Sequence, residues 1–220
     1  MMKKLIIFDL DGTLINSIKD LATSTNYALE QLKFPTHPTD DYNMMVGNGI
    51  NKLFERALPQ GEKNEQNISK MRELFLAHYD KHNTVYTHPY KGIPEVLKTL
   101  QDKGYLLAVA SNKYQEGTEK LVNHFFPNIT FNQVFGQRNN IPSKPDPKVL
   151  LEILENTNTS PEEALMIGDS NVDMQTANRA NIEGCGVSWG FRSIEELKSQ
   201  NPTYIIKETT DILSILNLKI

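Results

Sequence analysis

Asp9 and Asp11 stand two residues apart in Asp9-Leu10-Asp11-Gly12-Thr13, directly after the apolar run Leu5-Ile6-Ile7-Phe8. Side chains two apart in an extended segment lean to one side, so the two carboxylates can face one site. Like charges that close are costly unless a cation or a shared proton intervenes. Gly12 permits a sharp backbone turn just beyond them. The same five residues would also suit a plain polar turn, because Asp and Gly are common there.

Three other places carry polar groups of the kind such a pair would need. The apolar stretch Tyr105 to Ala110 ends in Ser111-Asn112-Lys113. Ala164 to Ile167 ends in Gly168-Asp169-Ser170, with Asp173 four residues beyond Asp169. Lys144 stands in Ser143-Lys144-Pro145-Asp146-Pro147, just before a helical pattern. Taken singly each is ordinary: Ser-Asn makes a turn, Lys144 is a solvated loop lysine, and Asp169 caps a helix.

Taken together they suit phosphoryl chemistry. Asp9, Asp169 and a backbone carbonyl offer oxygen ligands for Mg²⁺, which keeps waters and takes few carboxylates. The Ser111 hydroxyl, nearby backbone N–H groups and Lys144 can hold phosphate oxygens. One Asp carboxylate can then attack phosphorus, and a second can protonate the leaving oxygen and later deprotonate a water. Phosphate-monoester hydrolysis needs accelerations of up to roughly 10²¹-fold. A general acid supplies only about 10²–10⁴ of that, so a metal, positioned donors and a covalent step are needed together.

The elements that would position these groups follow from the apolar pattern. Leu5–Phe8 is short, continuous and partly β-branched, and reads as a buried strand. Residues 15 to 33, about 41 to 58 and about 65 to 83 each repeat apolar residues at helical spacing, with Pro and Gly breaks between them and no strand pattern. From about 88, strand and helix alternate: strands at 105–110, 131–135, 164–167, 184–188 and 204–206, helices at about 94–103, 114–124, 147–156, 171–180 and at the end. That alternation predicts a parallel sheet with helices on both faces. In such a sheet, ligands bind at the carboxyl ends of the strands. The expected organisation is an α/β core of residues 1–14 and 88–220, with a helical cap, 15–87, inserted after the first strand.

The chain has 220 residues and a formal net charge of −4, which offers no nucleic-acid footprint. Its one cysteine, Cys185, excludes an intrachain disulfide and reads as a small buried strand residue. The opening Met1-Met2-Lys3-Lys4 leads into an apolar run that Asp9 cuts too short for a signal peptide, and no run reaches membrane-spanning length. A cytoplasmic protein acting on a small molecule, without nucleic-acid or membrane partners, is expected.

The motifs Asp9-Leu10-Asp11-Gly12-Thr13-Leu14, Ser111-Asn112-Lys113, Lys144-Pro145 and Gly168-Asp169-Ser170 with Asp173 resemble the four motifs of the haloacid dehalogenase-like hydrolases, in order and across the whole chain. The resemblance implies a Rossmann-like core with a cap inserted after the first motif. It implies Asp9 as nucleophile and Asp11 as acid/base, with Ser111, Asn112 and Lys144 at the phosphate. Mg²⁺ would be held by the Asp9 carboxylate, the Asp11 backbone carbonyl and Asp169, with Asp173 in support. The second Asp points to phosphoryl chemistry rather than dehalogenation. Val46-Gly47-Asn48-Gly49, Pro89-Tyr90-Lys91-Gly92-Ile93 and Val187-Ser188-Trp189-Gly190-Phe191-Arg192 further resemble the phosphoglycolate phosphatase branch. Asn16 departs from that branch, where many relatives carry Asp.

The expected activity is thus a Mg²⁺-dependent phosphatase, with 2-phosphoglycolate as substrate. Gly47, Asn48 and Gly49 are candidate specificity residues, since loops often carry specificity; a turn at a helix start would use the same residues. Arg192 reads as a surface arginine that could reach the cleft mouth. A sugar-phosphate mutase needs a cap that grips a distal phosphate, and Lys52 and Arg56 are the basic residues of the second cap helix. Pyrophosphate hydrolysis would use the same scaffold, and a catalytically inactive regulator that binds a phosphometabolite would keep its binding groups.

Overall fold

The computed structural model describes residues 3–218. Leu5–Phe8 forms β1, and all four of its side chains are fully buried. It lies between β4 (Leu106–Tyr114) and β6 (Ala164–Gly168), parallel to both. Outside β4 lies β5 (Gln133–Gln137); outside β6 lie β7 (Glu183–Val187) and β8 (Tyr204–Ile206). The six-stranded order is β5-β4-β1-β6-β7-β8, parallel throughout.

Strand periodicity sends alternate side chains of β1 to opposite layers. Ile6 and Phe8 pack with Val96 and Leu97 of α5 (Ile93–Asp102), Leu121 of α6 (Gln115–Phe125) and Ile212 near the C-terminus. Leu5 and Ile7 pack with Leu150 and Ile153 of α7 (Lys148–Thr157) and Ala177 of α8 (Asn171–Arg179). Cys185 is fully buried in β7, as its setting predicts.

Register fixes where chemistry can occur. Phe8 pairs with Val109 and with Ile167. Asp9 therefore leaves the sheet level with Ala110 and Gly168, and Ser111 and Asp169 follow one residue later on either side.

Between β1 and α5 the chain forms a helical layer with its own core. Its helices are α1 (Ile18–Gln31), α2 (Tyr42–Met45), α3 (Ile50–Ala57) and α4 (Glu65–His82). Leu21, Leu29, Phe54, Phe75 and Tyr79 meet there, with the Phe75 and Tyr79 rings stacked at 4.9 Å.

Two expectations are corrected here. Residues 15 to 33 are not one helix: Ile15–Asn16 forms a strand, β2, paired antiparallel with β3 (His88–Pro89). This ribbon joins the entry and exit of the helical segment. β-Branched Ile15 suits it, but two residues are too few for a period to show. Residues 41 to 58 are not one helix either. The segment breaks between α2 and α3, where Gly47 and Gly49 adopt φ of 111° and 82°, a region that side chains rarely enter.

The ribbon is reinforced by a buried acid. Asp20 in the first turn of α1 accepts hydrogen bonds from the Tyr86 and Thr87 backbone N–H groups and from the Thr87 hydroxyl, at 2.7–3.1 Å. It holds the two chain crossings side by side.

Candidate active site

The five residues after β1 make a tight turn. Gly12 has φ of 89°, and a Cβ there would lie 2.3 Å from Asp169 Oδ2. A Cβ on Gly190 would lie 2.2 Å from the Asp169 Cβ. Only backbone can pass Asp169 so closely on two sides. The Phe191 N–H donates to Asp169 Oδ2 at 2.7 Å, which fixes that carboxylate further.

Asp169 does not cap α8. Ser170 is the N-cap, accepting from the Asp173 N–H, while Asp173 Oδ2 accepts from the Ser170 N–H and hydroxyl. This reciprocal capping box supplies the donors of the helix start and leaves Asp169 for the cleft. Asp9, Asp169 and Asp173 place carboxylate oxygens within 4.8 Å of one another.

Three buried carboxylates so close are electrostatically unbalanced. Burial raises the pKa of Asp9 to about 7, with Lys144 opposing and Asp173 adding to the rise. Asp169 is raised well above the usual carboxylate range by burial, then by Asp173 and Asp9. The excess charge, the all-oxygen donors and the glycine cradle fit a hard divalent cation, and among the described residues no His or Cys joins the cluster to favour a softer one. Asp9 and Asp169 are the carboxylates of this cluster that could hold one, because Asp173 is already engaged with Ser170 and Lys144.

Lys144 lies inside, not in solvent as a loop lysine would. Its Nζ contacts the Ala110 carbonyl at 2.7 Å, Asp173 at 2.6 Å and Asp9 at 3.0 Å. Those partners take all three donors of an ammonium group. Burial alone would lower its pKa, but Asp173 and Asp9 outweigh that and raise it. Lys144 is therefore a fixed cation beside Asp9, and an incoming anion would exchange with the Asp9 contact.

Ser111 and Asn112 also reach the cleft, but the Asn112 side chain serves the backbone. Its Oδ1 accepts from the Lys144 N–H at 2.8 Å, and its Nδ2 donates to the carbonyls of Lys144 and Gly47, each at 3.0 Å. The amide is thus taken by two loops, which leaves the backbone N–H as the group through which Asn112 can serve a phosphate.

The Asp11 carboxylate is gripped from two sides. Ser17 donates to Oδ1 at 2.6 Å, and the Lys113 Nζ lies 3.2 and 3.0 Å from Oδ1 and Oδ2. Sequence reasoning passed over Lys113 as a motif neighbour, yet its side chain is only 3% exposed. The signal was its position two residues after Ser111 on one strand, which aims both to the same side.

Gly47 and Gly49 line the cavity above Asp9 and Asp11. Asn48 does not: its Oδ1 accepts from Arg56 at 2.8 Å, away from the cavity. Arg192 is no surface residue. It is nearly buried, pairs with Glu196 at 3.4 Å and donates to the Val46 carbonyl at 2.6 Å. The departure at Asn16 is local, its Oδ1 accepting from the Ile18 N–H at 3.4 Å.

A parallel sheet carrying two Asp residues after its central strand, with a helical insert over them, defines a class. Residues 6–187 match the family model of the haloacid dehalogenase-like hydrolases, and the chain belongs to that family. It is an enzyme of the phosphatase kind within it, related over its whole length to phosphoglycolate phosphatases. The phosphoglycolate phosphatase of Psychrobacter arcticus is 34% identical, covering 98% of this chain and 96% of its own length. That of Aquifex aeolicus is 32% identical, covering 97% of each. The crystal structure of a protein from Lactobacillus delbrueckii subsp. bulgaricus superposes with a TM-score of 0.91 at 28% identity, covering 98% of this chain and 99% of that one.

Proposed function

We propose that this protein is a Mg²⁺-dependent phosphatase that hydrolyses a small phosphate monoester through an aspartyl phosphate on Asp9, with 2-phosphoglycolate as its substrate. The observation that carries this reading is the register of β1 against β4 and β6, which gathers Asp9, Ser111 and Asp169 at one edge. The names of the relatives support the choice of ester.

Asp9 is the nucleophile. Its carboxylate attacks phosphorus, and the ester oxygen departs with a proton from Asp11. Asp11 then takes a proton from a water, which attacks the same phosphorus and restores the Asp9 carboxylate. The Ser111 hydroxyl binds a phosphoryl oxygen, and the Lys144 charge offsets the phosphate. Mg²⁺, held by the Asp9 carboxylate, the Asp11 carbonyl and Asp169 with Asp173 in support, would supply the positive charge that lets two anions meet.

Residues 15–87 act as a cap over the core of 1–14 and 88–220, turning at the β2–β3 ribbon and excluding water when closed. Gly47 and Gly49 are the cap residues nearest the substrate. A mutase is less well supported. Lys52 is exposed and paired with Glu55, and Arg56 donates to the Met45 carbonyl and Asn48, so neither basic residue of α3 is turned to a distal phosphate.

The test is phosphate release from a panel of metabolite monoesters and pyrophosphate, with Mg²⁺ or EDTA, by wild type and Asp9→Asn. Mg²⁺-dependent release that is absent in the variant and has its highest kcat/KM for 2-phosphoglycolate is expected. Release from none of the compounds, or release indifferent to the substitution, would overturn the reading.

A further inference from the structure

The cleft between Asp9, Asp11 and the cap loop is partly open to solvent and holds about 40 Å³ within its walls. A single water needs about 10–15 Å³ by this measure, so there is room beside Asp11 for the first atoms of a leaving group. Leu21, Val46, Ile50 and Leu53 give the cleft an apolar wall, and among the described residues Lys113 is the cation that lines it, with Asp9 and Asp11 as the anions.

Lys113 differs from Lys144 in one respect. An ammonium has three donors. Those of Lys144 are all taken by protein oxygens. Lys113 reaches the two oxygens of Asp11, and its remaining neighbour is Tyr79, whose ring centroid lies 4.9 Å from Nζ and whose buried hydroxyl makes no hydrogen bond of normal geometry. Among the described residues, one N–H of this buried cation has no carboxylate or carbonyl acceptor and faces only the neutral Tyr79 side chain. Desolvated charge of this kind favours a compact anion strongly over a neutral group of the same shape.

We propose that Lys113 is a specificity-determining residue that selects phosphoesters whose leaving group carries a carboxylate. The carboxylate takes this third donor from the neutral Tyr79 side chain, on the side of Asp11 where the ester oxygen departs. The inference rests on the phosphatase reading above and adds to it the group that recognises the leaving side.

The test compares 2-phosphoglycolate with 2-hydroxyethyl phosphate, which replaces the carboxylate by a hydroxymethyl group. The readout is the ratio of their kcat/KM values. In wild type the ratio is expected to favour the carboxylate ester by at least about tenfold, and Lys113→Met to bring it close to one, whatever both rates lose through Asp11. Lys113→Arg, which keeps the charge, should retain most of the preference. A ratio that Lys113→Met leaves unchanged would overturn the inference while leaving the phosphatase reading intact. Hydrolysis of neither ester by wild type would overturn both. A wild-type measurement free of any folding defect is product inhibition. Glycolate should inhibit at a concentration at least about tenfold below its neutral isostere glycolamide, and equal inhibition would contradict the role given to Lys113.

Discussion

The Asn112 amide donates to the Gly47 carbonyl at 3.0 Å and so joins the end of a core strand to the cap loop. The same side chain pairs twice with the Lys144 backbone. One buried amide thus sets the distance between the loop that closes the cavity and the lysine beside the nucleophile. Asn112→Ala is expected to lower kcat/KM by about 10²-fold, the scale of a 1 Å misplacement in an active site. Steady-state kinetics on the best substrate checks this, and kinetics equal to wild type would contradict it.

Asp20 offers a prediction about stability rather than chemistry. Its removal leaves the Tyr86 and Thr87 N–H groups, both supported by its carboxylate, without their acceptor. Asp20→Ala is expected to destabilise the protein by about 2–4 kcal/mol, by the cost of the buried Thr87 N–H and hydroxyl left without their charged acceptor. Urea denaturation measures it, and a loss below about 0.5 kcal/mol, typical of a surface site, would show that the staple carries little.

The carboxylate cluster predicts how pH acts on the metal-free protein. Burial raises Asp9 to about 7, against Lys144 and with Asp173, while an unfolded Asp titrates near ~3.9. The folded state binds that proton more tightly. Its contribution to stability is fully present below the unfolded value and is lost as pH rises through the folded one. Asp169, raised by burial and by Asp173 and Asp9, acts in the same direction. In EDTA the Tm should therefore fall between about pH 4 and pH 7, and Mg²⁺ should flatten that fall by neutralising the cluster. Thermal melts across this interval, with and without Mg²⁺, are the measurement. A metal-free Tm that is flat or rising would contradict the account.

Much of this was legible in the residues. Continuous apolar strands alternating with helical periods gave the parallel sheet, because strands buried on both faces leave that pattern. Asp9, Asp11, Lys144 and Asp169 were legible because each sits at a strand end or loop, and Ser111 because it follows the apolar part of β4, which register sets beside Asp9. The β2–β3 ribbon was not, since Ile15–Asn16 and His88–Pro89 are too short to show a period and pair across a long insert. The interior placement of Lys113 and Arg192, and the engagement of Asn112 with backbone, depend on long-range contacts that no local spacing encodes.

The central claim is that Asp9 carries the phosphoryl group. The direct measurement is rapid acid quenching of a single turnover with ³²P-labelled 2-phosphoglycolate in Mg²⁺, followed by mapping of the label. Label on the peptide that contains Asp9, removed by hydroxylamine and absent from Asp9→Asn, is the predicted result. Phosphate release in wild type with no label at Asp9 at any time in the turnover, or undiminished release in Asp9→Asn, would contradict it.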